Sequence, residues 1–284
     1  MRNIFNKKEK EFKPEYPHSG YLDKRQVRFM HSGKSGDIIY AIPAMREMNR
    51  FGNDIELYLN IIQPHSGKVD KHFNEKTVEM LLPLLQYQPY LKKAGIFSRQ
   101  SIDVDMDAFR FIDIPLDRSN LASWYSFAFN VFPDLTKPWL YASKKEEYSN
   151  CIALSRSKRY GNPNLSRVFL SGYKDLAFLG TEQEYKSMKA ELPSLVWIKV
   201  DNFLEMADII NSCKLFIGNQ SMPFAIAEAL KVQRVLEVSL ESPNVIPFGP
   251  NGFGCIYQDA FEETVKKCIS RTTFKIDPVA ALFA

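Results

Sequence analysis

The chain has 284 residues, of which 45% are hydrophobic and 25% charged, with a net charge of +4. That balance excludes a disordered protein. No stretch reaches the ~18 uninterrupted apolar residues of a membrane span, and the basic start, MRNIFNKKEKEFK, has no apolar run behind it that would make a signal peptide.

At about 150 residues per domain, two domains are expected. Cys151, Cys213, Cys255 and Cys268 form no CxxC pair and no metal-ligand spacing, so they read as reduced thiols of a cytoplasmic protein. Residues 1–13 carry three of the four net positive charges, which leaves too little for a general polyanion-binding face.

Gln26–His31 reads as a first strand, followed by the small-residue loop Ser32-Gly-Lys-Ser-Gly-Asp37 and a helix over 38–48 with apolar residues at helical spacing. A strand over 55–61, a helix over 76–85, a period-two segment over 102–107 and a helix over 121–132 follow. Strand, glycine loop, helix, strand opens a parallel α/β unit. Pro138 and the charged run 144–147 mark a linker near 138–150. A second β/α alternation then begins, with strands at 151–154, 175–180, 195–200, 214–218 and 234–238 and helices at 182–191, 203–213 and 221–230. The domains expected are a basic extension over 1–25, a Rossmann-like unit over 26–145 and a second one over 146–284.

Gly33-Lys34-Ser35 spells the end of a phosphate-binding P-loop, but Arg28 stands where that pattern needs its first glycine, so a nucleotide triphosphatase is excluded. Gly33, Lys34, Ser35 and Gly36 then form either a tight turn or the acceptor side of a ligand crevice. Asp37 is a general base or a helix N-cap.

Gly218-Asn-Gln-Ser221 joins a strand to a helix, where free N–H groups and the helix dipole attract phosphate. From Tyr148 to Lys174 there is no acidic residue, while Arg156, Lys158 and Arg159 are present, so this loop reads as an anion site converging with 218–221. Glu228, in an otherwise apolar helix, is either solvent-facing or a ligand for paired ribose hydroxyls. Asp103, Asp105 and Asp107 have the alternation of a DxD metal motif, but a structural or acceptor-facing role is favoured, and no metal is expected.

Two stretches together resemble glycosyltransferase family nine, the ADP-heptose:lipopolysaccharide heptosyltransferases. One is His31-Ser-Gly-Lys-Ser-Gly-Asp-Ile-Ile-Tyr-Ala-Ile-Pro-Ala-Met45; the other is 203–238, centred on Ala207-Asp-Ile-Ile-Asn-Ser-Cys-Lys-Leu-Phe-Ile-Gly-Asn-Gln-Ser221. The resemblance implies a GT-B fold, with two Rossmann-like doubly wound domains facing across a cleft. It also implies inverting sugar transfer from a nucleotide-diphosphate sugar without a metal cofactor. Asp37 matches the proposed catalytic base, loop 218–221 the donor loop, and Arg156 and Lys158 the donor-phosphate loop. The chain departs from the family at Gln220, Met222 and Ala225, where Asp, Gly and His are usual. A glycan or lipid-linked acceptor, with peripheral membrane contact, follows from the resemblance. Two alternatives stand beside it: a nucleotide-sugar-binding protein without turnover, and a bacteriophage-type transferase acting on modified DNA bases.

Overall fold

The computed structural model describes residues 22, 24–50, 54–61 and 74–270; the basic extension therefore lies almost wholly outside the described residues. Two parallel sheets organise the chain.

The first has the order β3-β2-β1-β4, from β1 (Gln26–His31), β2 (Asp54–Leu59), β3 (Leu91–Ile96) and β4 (Val104–Asp105). The second has the order β10-β9-β8-β5-β6-β7. Its strands are β5 (Ile152–Ser155), β6 (Leu176–Phe178), β7 (Val196–Trp197), β8 (Leu215–Asn219), β9 (Arg234–Glu237) and β10 (Gly252–Cys255). Every strand pair is parallel, and in each sheet the order reverses beside the first strand, at β1/β4 and at β5/β8.

Local chemistry sets the helix ends. Asn74, Asn120, Thr181 and Asn202 each cap a following helix through a side-chain oxygen. These helices are α2 (Glu75–Gln86), α3 (Leu121–Ala128), α4 (Glu182–Glu191) and α5 (Phe203–Ser212); α1 (Ser35–Met48), α6 (Met222–Leu230) and α7 (Gln258–Ser270) complete the set. None of the described helices is long and apolar enough to cross a membrane.

Several expected boundaries move. Helix α1 starts at Ser35 rather than 38, with Lys34 in the N-cap position and Asp37 inside the first turn, so Asp37 is not the cap. The period-two segment yields only β4, because the Asp105 carboxylate accepts a bond from the Asp107 N–H and turns the chain into a 3-10 helix over Met106–Phe111. Strand β3, with the sequence LKKAGI, was not expected; its exposed lysines hide the alternation.

Helix α1 is buried on nearly all sides, from Ile38 through Met45. It packs on α3 and on α6, so one apolar core runs from the first sheet into the second. The closest approach uses small residues: a methyl group placed on Gly36 would lie 3.9 Å from Ala225 Cβ. Trp139 pins both helices, its indole N–H donating to Ile39 O at 2.9 Å and its backbone N–H to Ala229 O at 2.9 Å.

A buried charge cluster closes the far end of α6. The Glu228 carboxylate is fully buried and accepts from Arg234 Nε at 2.6 Å, Lys231 Nζ at 2.5 Å and Phe248 N at 3.0 Å. Lys231 also lies over the Trp139 ring at 4.3 Å, and burial, against the pull of Glu228, brings its amine down to about 8. Glu228 is therefore not solvent-facing, and it is absent from the linings of the two cavities described below; its oxygens are taken by these partners. Glu228→Gln leaves Arg234 as an uncompensated buried charge, and a stability loss of about 3–5 kcal/mol is expected in urea unfolding at pH 7. A loss under about 1 kcal/mol would show that the cluster does not hold α6 in place.

Candidate functional site

In an open parallel sheet, the loops leaving the carboxyl ends of strands at an order reversal splay apart and leave a crevice. Both reversals of this chain are used. The loops after β1 and β4 bring Asp37 to Arg110, and the loops after β5 and β8 bring Lys158 and Arg159 toward Gln220 and Ser221.

Two cavities result. One of about 520 Å³ is lined by Lys34, Ser35, Gly36, Asp37, Tyr40 and Arg110 from the N-terminal part, and by Arg159, Gln220, Ser221, Met222 and Asn244 from the C-terminal part. A larger one of about 1040 Å³ has apolar walls from Met80, Trp197, Val200, Phe203 and Met206 and polar groups from Lys158, Thr181, Glu182 and Lys199. Arg159, Gln220, Ser221 and Met222 belong to both linings, so the cavities meet at the N-terminus of α6.

Asp37 does not stand alone. Its Oδ2 accepts from Arg110 Nη2 at 2.7 Å, and Arg110 Nε reaches Asp107 Oδ1 at 3.4 Å. Asp107 is fully buried and accepts from the Ser32 N–H at 2.7 Å. Fully buried His31 accepts the Gly33 N–H on Nδ1 at 2.9 Å and has Nε2 2.6 Å from Tyr125 Oη. Those partners assign the ring proton to Nε2. Gly33 is required here: a Cβ would collide with the Arg110 guanidinium and lie 2.9 Å from His31 Cε1. The absence of a side chain at Gly33 thus makes room for the Arg110 guanidinium.

The second loop pair is tied together by Asn219. Its fully buried side chain accepts from Ser157 N at 2.9 Å and donates to Ser157 O at 2.7 Å, clasping the basic loop to the end of β8. Gly218 is needed for packing, since a Cβ would meet the Phe216 ring at 2.9 Å and Ser155 O at 3.0 Å. Gln220 and Ser221 face the cavities; Lys158 and Arg159 are exposed at their rim. Arg156, expected at the donor phosphates, is held by Glu237: its Nε bonds both Glu237 oxygens, at 3.1 and 3.3 Å, and it is absent from both linings.

The three aspartates are held by separate partners. Asp103 binds Lys24 and the Arg28 N–H, Asp105 caps the 3-10 turn, and Asp107 serves the Ser32–Arg110 network. Among the described residues, no group of three or more His, Cys, Asp or Glu is arranged to hold a metal ion. Sequence reasoning missed Arg110, Tyr40, Asn244 and Glu182. Of these, Glu182 had a readable signal, as a carboxylate in the first turn of a helix opening at a strand end.

Burial, partly offset by Asp107, holds His31 below its usual value of 6.5. The unfolded chain therefore takes up a proton that the folded chain refuses, and stability falls as pH drops below about 6.5. Burial would raise Asp107, but His31, Ser32 and Arg110 together lower it, so its contribution is lost at still lower pH, below about 4. Urea unfolding at pH 7.5 and 5.5 is expected to show the His31 loss in the wild type and a flatter dependence in His31→Gln. Equal slopes would remove His31 from the account.

No protein-family model matches the chain, and no curated protein matches it. Solved structures do match its fold. The glycosyltransferase family 9 protein from Veillonella parvula is 14% identical, with a TM-score of 0.56 over 89% of this chain and 91% of that one. The E. coli heptosyltransferase WaaC, solved with ADP, is 9% identical, with a TM-score of 0.59 over 86% and 99%. The E. coli ADP-heptose lipopolysaccharide heptosyltransferase II is 10% identical, with a TM-score of 0.51 over 86% and 98%. With its two parallel sheets and their short β/α connections, the chain has the fold of these family 9 glycosyltransferases and heptosyltransferases.

Proposed function

We propose that the chain is a glycosyltransferase of the GT-B kind, with residues 26–145 as the acceptor domain and 146–284 as the nucleotide-sugar domain. The observation that carries this reading is the meeting of two cavities at the N-terminus of α6, with a carboxylate, Asp37, in one and the cations Lys158 and Arg159 beside the other.

The larger cavity suits a nucleotide. Trp197, Val200, Phe203 and Met206 offer apolar surface for a base, and Glu182 takes over the ribose role expected of Glu228, since a carboxylate accepts from two neighbouring hydroxyls. The diphosphate lies where the cavities meet, against Lys158, Arg159 and the amides opening α6. Those groups stabilise the negative charge that the leaving nucleoside diphosphate gains.

On the other side, Asp37 takes the proton of an acceptor hydroxyl as its oxygen attacks the anomeric carbon. The bond to the diphosphate oxygen breaks on the opposite face, and the configuration inverts. Arg110 orients the carboxylate through its 2.7 Å contact, and Asp107 orients Arg110. The same Arg110 contact favours a second reading, a nucleotide-sugar-binding protein without turnover, because it occupies one oxygen of the base.

A thermal-shift screen against nucleoside diphosphates and nucleotide sugars is expected to single out one nucleotide, since a ligand of the folded state raises apparent stability by mass action. Lys158→Ala with Arg159→Ala is expected to weaken that nucleoside diphosphate by about 10-fold or more, as charge-assisted bonds contribute ~1.5–3 kcal/mol each. Asp37→Asn is expected to keep nucleotide binding and lose transfer or donor hydrolysis by about 10²-fold or more. Wild-type protein that binds a nucleotide sugar and turns over none supports the second reading, and absence of any nucleotide binding sinks both.

A further inference from the structure

Between β9 and β10 the chain runs over 238–251 and carries prolines at 243, 247 and 250. A proline ring fixes φ, so this stretch has few conformations to lose when it is held. One end of it is fastened to the charge cluster of α6. The Phe248 N–H donates to the Glu228 carboxylate at 3.0 Å, and Phe248 O accepts from Lys231 Nζ at 2.9 Å and Arg234 Nη2 at 2.6 Å.

The other end crosses to the N-terminal half and meets residues 116–121. Two asparagines there act reciprocally. Asn120 donates from Nδ2 to Ile246 O at 2.7 Å, and Asn244 donates from Nδ2 to Leu116 O at 2.7 Å. The backbones zip between them: Leu121 N–H to Asn244 O and Ile246 N–H to Ser119 O, both at 3.0 Å, with Asn120 opposite Val245 in an antiparallel bridge. Asn120 is fully buried, and its Oδ1 accepts the Ala122 N–H at 2.9 Å. One side chain thus starts α3 and grips the other half of the molecule.

The zipped strips are also a wall. Leu116, Leu121, Asn244 and Val245 line the 520 Å³ cavity that holds Asp37, and none of them lines the larger cavity. We propose that Asn120 is a positioning residue: with Asn244 it clasps the two halves, so that the cavity around Asp37 is assembled before any ligand arrives. Asn120 is absent from both linings and acts through Leu121, Asn244 and Val245. The proposal rests on the glycosyltransferase reading for the use of the cavity, and on the hydrogen bonds alone for the clasp.

Hydrogen exchange and kinetics on the wild type, Asn120→Asp and Asn244→Ala test it. An aspartate at 120 keeps an oxygen to cap α3 and loses the amide that reaches Ile246 O. Asn244→Ala leaves Asn120 intact, should a buried carboxylate prevent folding. In the ligand-free wild type, the Leu121 and Ile246 amides are expected to exchange about 10²-fold or more below the free-peptide rate. Asn244→Ala is expected to speed exchange about 5-fold or more in both 116–121 and 244–248 and to leave β3 unchanged. Fast wild-type exchange at Leu121 and Ile246, or a change confined to 244–248, overturns the clasp.

The kinetic arm follows release of the nucleoside diphosphate from ADP-, UDP- and GDP-glucose. In both variants kcat is expected to fall about 10-fold or more, because small displacements at a reacting centre are costly. KM is expected to stay within about 2-fold, since the larger cavity is untouched. A purely structural weakening would leave kcat per folded molecule unchanged, and that result removes the positioning role. A wild type that releases none of the three diphosphates counts against the glycosyltransferase reading, and the exchange arm still decides the clasp.

Discussion

Helix α1 is the element on which the rest of the molecule depends. Buried from Ile38 to Met45, it serves the first sheet, α3 and α6 at once, so its position fixes both the Asp37 side and the Ser221 side of the site. A helix apolar all round can be stable only when neighbours cover every face. Gly36 and Ala225 let α6 come close, and Trp139 ties the two helices through Ile39 O and Ala229 O. The catalytic geometry proposed for this chain is therefore a by-product of how one helix is packed.

The site also divides labour between groups that touch the cavities and groups that hold others in place. Asn219, Asp107 and Glu237 are all buried and polar, and each is spent on a loop: Asn219 on Ser157, Asp107 on Ser32 and Arg110, Glu237 on Arg156 and Arg167. Buried charges with full sets of partners contribute little net stability, but breaking one of them leaves the other exposed to a low-dielectric interior. What they supply is fixed loop geometry at both sheet reversals. The basic loop over 156–160 is anchored at Arg156 and Ser157, with Lys158 and Arg159 exposed beside the larger cavity.

Much of the architecture was legible because parallel α/β units announce themselves through short apolar strands and small-residue turns. The strands at β1, β5 and β8 and the helices α4, α5 and α6 lie close to where their patterns put them. Strand β3 was illegible since an edge strand with exposed Lys92 and Lys93 carries little alternation. Cavity-lining positions were legible only where they follow from an element boundary, as for Asp37 and Ser221. The ion pairs of Glu228 and Arg156 were illegible for one reason: their partners, Arg234 and Glu237, are remote or unremarkable in sequence, and nothing local shows that a charge is already neutralised. Arg110 was missed for the converse reason, because its importance comes from Asp37, 73 positions away.

The shared core has a consequence for how such a chain can be divided. Residues of α1 and α3 and residues of α5 and α6 belong to one continuous apolar cluster. Cutting the backbone near 138–150 would strip each fragment of the oily surface that its neighbour now shields, and would separate Trp139 from one of its two anchors. Though written as two successive units, the polypeptide shares one buried face between them, and a lone half would present that face to water as a contiguous apolar patch.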